Sequence, residues 1–158
     1  MGLGASVMYV RLATQQDLPA MLEMGENHCK ELLPDREWSK ERSIARFNAY
    51  FDTGNPIFYV AVGSDKELLG YLSGFTANYN FMTGFYAVFD IIYVRPDKRG
   101  HRAAAQLINT FNQWADRLQA NEVVFLAGDD RVSPRTLSFI QRFGYSRAGL
   151  ILRRTVRR

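Results

Sequence analysis

From Tyr9 to Ala13 apolar and polar positions alternate, which is the period of a short strand. Thr14 with Asp17 three residues on has the form of a capping box with Asp in place of Glu, and it opens a helix. Leu18, Met21, Leu22, Gly25, Cys29 and Leu32 recur at helical spacing until Pro34 stops them. Ser39 caps a second helix with an Ile44, Phe47 and Phe51 stripe, closed by Gly54. The period then changes. Ile57 to Val62 is a compact apolar run, Gly63-Ser64-Asp65 is a turn, and Leu68 to Phe75 completes a hairpin.

After a turn over 78–84 comes the almost wholly apolar run Phe85 to Val94, the signature of a central strand buried on both faces. Pro96 breaks it. Gly100 then opens a long helix striped by Ala104, Leu107, Ile108, Phe111, Ala115 and Leu118. Glu122 to Ala127 predicts a further strand, Pro134 to Phe143 a short helix with Gly144 at its end, and Tyr145 to Arg153 a last strand. The expected architecture is α/β (α+β), in the order β-α-α-β-β-β-α-β-α-β. Such a chain builds a mixed, mostly antiparallel central sheet of six or seven strands flanked by about four helices.

Length and composition narrow the function. The 158 residues suit one domain over 1–158, with residues 1–8 a flexible leader and 154–158 a basic tail. Hydrophobic residues are 47% and charged residues 23%, an ordinary globular balance that excludes disorder as the main state. One cysteine, Cys29, excludes a disulfide framework and a Cys-rich zinc site and fits a cytoplasmic setting. No apolar run reaches the ~18 residues of a membrane span, so no membrane role is expected. The two histidines lack metal-ligand spacing with any carboxylate cluster, so no metal is expected. The net charge of +4 and the arginines at 147, 153, 154, 157 and 158 raise nucleic acid as a partner, but no DNA- or RNA-binding motif accompanies them.

The chemistry gathers at Asp90 to Ala105, where a buried strand runs through a Pro-broken loop into a helix N-terminus. Such an end offers unpaired N–H groups and the positive end of the helix dipole, which together hold phosphate oxygens. Gly100, Ala103, Ala104 and Ala105 keep the approach open, and Arg95, Lys98, Arg99 and Arg102 surround it with mobile positive charge. Two readings stand: a phosphate cradle, or an ordinary strand–helix turn with a solvated basic rim.

The stretch resembles the acetyl-CoA signature of the GNAT superfamily of N-acetyltransferases, through Val94, Pro96, Arg99, Gly100, Arg102, Ala104 and Leu107. Phe139 followed by Phe143-Gly144-Tyr145 resembles a second family cue, and the element order is similar from Tyr9 to Arg153. The resemblance implies that backbone around Ile92, Tyr93 and Val94 pairs with the pantetheine of acetyl-CoA. It implies that N–H groups from Arg99, Gly100, His101, Arg102, Ala103 and Ala104 hold the pyrophosphate. It puts Ser133 where members carry an asparagine near the cofactor, and the thioester beside Asp90 and Ile91. Two residues depart from the pattern: Arg102 replaces the usual first glycine, and Ile140 replaces the tyrosine that protonates the leaving thiolate.

Asp90 is the one charge between Phe85 and Val94, and alternation places it on a face with Val88 and Ile92. Desolvation there suits a general base, although an Asp satisfied by an arginine or by backbone donors is the other reading. His28 and Glu31 lie where the family has its substrate wall, and Glu23, Glu26 and Glu31 could attract a cationic amine unless that face simply meets water. Tyr79 caps the central hairpin and can line the acceptor cleft. The leading expectation is acetyl transfer from acetyl-CoA, as cosubstrate, to a primary amine on a small molecule or peptide, in a monomer or homodimer. A non-catalytic CoA-binding sensor and a basic nucleic-acid-binding domain are the alternatives.

Overall fold

Residues 8–100, 102–126 and 133–156 are described in a computed structural model of the chain. Five strands form one sheet in chain order: β1 (Tyr9–Leu12), β2 (Ile57–Val62), β3 (Leu68–Asn78), β4 (Phe85–Val94) and β5 (Val123–Phe125). Neighbours from β1 to β4 are antiparallel, and β5 joins β4 in parallel. The helices are α1 (Leu18–Leu32), α2 (Lys40–Thr53), α3 (Ala103–Leu118) and α4 (Pro134–Gln141). Element order follows the sequence pattern as far as α4.

The expected last strand over 145–153 does not form, so the described sheet has five strands rather than six or seven. β5 presents only three residues of ladder to pair against. Leu150, Leu152 and Val156 remain 78%, 91% and 80% exposed, so the alternation there has no buried face to fix a register. The segment from Tyr145 to Ile151 lines a groove of about 750 Å³ together with β5 and α4 instead.

Local chemistry explains the helices. Ser39 Oγ accepts the Arg42 N–H at 3.2 Å at the start of α2, and Gly54 closes it at φ +73°, a left-handed turn that favours glycine. Along α3, Ala103, Leu107, Ile108, Phe111 and Ala115 are buried, whereas Leu118 at the end of the expected stripe is exposed. Burying a phenylalanine such as Phe58, Phe89 or Phe111 contributes about 1.5–3 kcal/mol each. α1 and α2 cover one face of the sheet and α3 covers the other.

β4 carries the feature that periodicity missed. Ser73 pairs with Ile91 and Gly74 with Phe89, so Asp90 is an extra residue, a β-bulge. The bulge reverses the alternation. Phe89 lies edge-on to Phe111 of α3, centroids 5.5 Å apart, while Tyr93 meets His28 of α1 at 5.1 Å on the opposite face. Val88 and Ile92 therefore fall on opposite faces, which corrects the reading that grouped both with Asp90. On the partner strand, a Cβ at Gly74 would collide with Val88 O and the Phe111 ring, so only glycine lets α3 lie this close beside the bulge.

Candidate active site

The strand–helix junction begins where β5 runs out. β4 pairs with β5 only from Ala87 to Phe89, and the last bond runs from the Leu126 N–H to Phe89 O at 3.1 Å. Further along, the Arg95 N–H donates to Leu69 O at 2.8 Å, so antiparallel parity aims Tyr93 and Ile91 at β3. Ile92 and Val94 point the other way, to an edge without a strand partner among the described residues. One turn at Pro96–Lys98 follows, then Gly100 at φ +90° redirects the chain into α3. No side chain caps α3, and its first bond is Gln106 N–H to Arg102 O at 2.9 Å. The N–H groups of Ala103, Ala104 and Ala105 thus lie ahead of the helical ladder. Open edge and open helix end are contiguous, and an extended amide chain ending in a diphosphate fits them. His101 lies outside the described residues.

The arginines around this turn are less mobile than their sequence suggests. Arg99 Nε donates to Val94 O at 2.9 Å, and its two terminal nitrogens grip Glu31 at 2.7 and 2.9 Å. The guanidinium also sits 5.5 Å from the Tyr93 ring centroid. Arg95 donates to Leu68 O and to Glu23 Oε1, each at 2.8 Å. Val94 O accepts one hydrogen bond, from Arg99, and keeps a second lone pair. Glu23 and Glu31 pair with Arg95 and Arg99, and Glu26 with Lys30 at 3.1 Å, all at a partly exposed surface.

The structure brings His28, Glu31, Tyr93, Val94 and Arg99 together, although the sequence assigned them to separate jobs. The Arg99 hydrogen bonds hold the Glu31 carboxyl below its ordinary range. Burial pushes the His28 imidazole below its usual value, with Glu31 opposing and Arg99 adding. His28 is half-buried, with its ring packed against Tyr93. Tyr79 stands apart: it bonds Glu122 and lies tilted against Tyr86 near the start of β4, at the opposite end of that strand from the N-terminus of α3, and the Glu122 bond pushes its phenol up to about 12. Ser133 Oγ accepts the Thr136 N–H at 3.1 Å and caps α4. Ile140 is 3% exposed, inside the core.

Asp90 sits on the α2 side of the sheet at the bulge. Arg46 of α2 reaches it through one nitrogen at 3.5 Å, and the same nitrogen donates to buried Ser73 Oγ at 3.0 Å. Arg46 also lies 5.7 Å from the Phe58 ring centroid, and its Nε is buried without a hydrogen-bond partner. Burial raises the Asp90 carboxyl above its ordinary range, with Arg46 pulling the other way. Beside this group a cavity of about 50 Å³ is lined by Met21, Gly25, Arg46, Phe58, Tyr71 and Ile91. Sequence reasoning missed Arg46 and Ser73. The only available signal was that a buried acid demands a partner. Among the described residues no group of His, Cys, Asp or Glu is arranged for a metal, and no helix is long and apolar enough to cross a membrane.

Among curated proteins, none matches the sequence. Solved structures match along nearly all of it. A transcriptional regulator from Bacillus halodurans C-125 is 19% identical, covers 95% of this chain and 100% of its own, and superposes with a TM-score of 0.78. The AAC(6')-Iy structure in complex with the bisubstrate analog CoA-S-monomethyl-acetylneamine is 16% identical over 96% of this chain and 99% of that one, with a TM-score of 0.78. An aminoglycoside acetyltransferase, meta-AAC0020 from an uncultured soil metagenomic sample, in complex with sisomicin, is 14% identical over 95% and 97%, with a TM-score of 0.73. At these identities the likeness is one of fold. The sequence itself carries the assignment: residues 24–145, β4, the junction and α3 included, match the model of the acetyltransferase (GNAT) family, and the chain belongs to it.

Proposed function

We propose that the chain transfers an acetyl group from acetyl-CoA to a primary amine. One observation carries this reading: the open edge of β4 at Ile92 and Val94 runs directly into the uncapped N-terminus of α3 through Gly100 at φ +90°. Acetyl-CoA would supply an activated acyl carbon and a good thiolate leaving group, so that the amine's C–N bond forms as the C–S bond breaks. The Ile92 and Val94 backbone would align the donor, and the N–H groups of Ala103 to Ala105 would hold its phosphates. Asp90, with its carboxyl raised toward the working range of a base, takes the proton that the acceptor ammonium gives up. The Val94 N–H faces the developing charge on the carbonyl oxygen. Holding amine and acyl carbon together supplies the remainder.

A second reading, a CoA-binding module without turnover, is favoured by Ile140, which is buried where the family's tyrosine acid is expected. Thermal melting with acetyl-CoA, CoA and ATP, combined with thiol release over an amine panel, separates the two. A ligand at 100-fold its Kd adds about 2.7 kcal/mol of stability. A shift with CoA and acetyl-CoA but not ATP, with thiol released, supports the transferase. The same shift with no thiol from any amine supports the binding module, and no shift with CoA overturns both.

A further inference from the structure

Resting on the acetyltransferase reading, we infer that the acceptor is a zwitterion, an α-amino acid with a small apolar side chain, whose ammonium is received by Asp90 and whose carboxylate is received by Arg46. The inference begins with an incomplete ion pair. Arg46 and Asp90 touch at 3.5 Å, longer than a charge-assisted bond, and their side chains are 35% and 31% exposed, so both can be reached. One nitrogen of Arg46 serves both Ser73 and Asp90, while Nε is buried with no partner. Buried donors without partners are rare and costly, and Asp90 does not relieve this one. An anionic oxygen would.

The unpartnered donor favours this acceptor over other kinds of amine. A plain monoamine bound to Asp90 would leave the buried Arg46 Nε without an acceptor. A polycation would leave that donor unmet as well, and Glu23, Glu26 and Glu31 on α1 are already paired with Arg95, Lys30 and Arg99. An amino acid exchanges the one long pair for two, ammonium with Asp90 and carboxylate with Arg46, at no net change of charge. The adjoining cavity of about 50 Å³ has room for little more than a few methyl groups, and Met21, Phe47, Phe58 and Ile91 make its lining apolar.

The test compares L-valine, L-valinamide and isobutylamine, which share the branched side chain and the amine and differ at the carboxylate. Thiol release from acetyl-CoA and calorimetric binding to the CoA-loaded protein are both read. Valine should exceed the other two by about tenfold or more in kcat/KM and in affinity, since a charged hydrogen bond is worth that much. Arg46→Gln should erase the preference while the CoA-induced thermal shift stays. Arg46→Lys keeps the charge without the fork and should restore only part of it. Equal or better use of isobutylamine or valinamide overturns the zwitterion inference and leaves the transferase standing. So does a valine preference that survives Arg46→Gln. If neither variant folds, the wild-type comparison decides alone. Absence of any CoA-induced shift removes the transferase reading itself, and this inference with it.

Discussion

Two aspartates of this chain sit in the same layer of packing and are treated oppositely. Asp17, at the start of α1, accepts both terminal nitrogens of Arg11 at 2.7 and 3.0 Å and the Thr14 N–H at 2.8 Å. Burial would raise its carboxyl, yet these bonds hold it below the ordinary range. Asp90 has one long contact with Arg46, and burial raises it. The contrast is between a satisfied acid and an under-satisfied one. A carboxylate whose lone pairs are filled stabilises the fold. One left short of donors keeps affinity for a proton, which is the property a base needs.

Asp90→Asn tests that contrast hardest. Thiol release should fall by about 10²- to 10⁴-fold, the usual contribution of a positioned base, with the CoA-induced thermal shift intact. Unchanged turnover would make Asp90 as structural as Asp17. Next in size is Asp17→Ala, which leaves Arg11 and the Thr14 N–H without their acceptor. It should cost about 1–3 kcal/mol in urea unfolding at neutral pH, with kcat untouched. The cost has a pH sign. Asp17's contribution is present above the ordinary carboxylate range and is lost as pH falls through its lowered pKa. Asp90's runs in reverse: it is present below the ordinary carboxylate pKa and lost as pH rises through the raised one. The Asp17→Ala deficit should therefore shrink in acid, and a deficit independent of pH would contradict the assignment. The smallest effect is Glu31→Gln. Its bond to Arg99 is half exposed, so stability should change by under about 1 kcal/mol.

Much of this was legible before any coordinates. The Ser39 and Gly54 caps bounded α2, the apolar spacing of Ala104 to Leu118 marked α3, and the run from Phe85 to Val94 marked β4, because each of these signals is local, although β3 rather than β4 holds the centre of the sheet. What stayed hidden depends on chain segments far apart. Arg46 meets Asp90 across 44 residues, and Arg95 and Arg99 find Glu23 and Glu31 across 72 and 68. No spacing rule reports such pairs. The basic turn consequently looked like free charge, and the acids of α1 stood open between a cationic amine and water. The alternation from Tyr145 to Arg153 misled for a related reason, since a strand needs a partner and β5 offers three residues.

The extra residue in β4 sets which face every later position of the strand presents. Phe89 and Tyr93 belong to opposite faces only because one position between them is unpaired. Removing one residue from 90 to 92 would close the bulge and restore simple alternation with Tyr93 still opposite Phe89 and facing His28, because three positions is an odd step. Point substitutions at Ile91 or Ile92 change one contact each. Deleting Asp90 would thus take the acid from the junction and leave the layers downstream on their present sides.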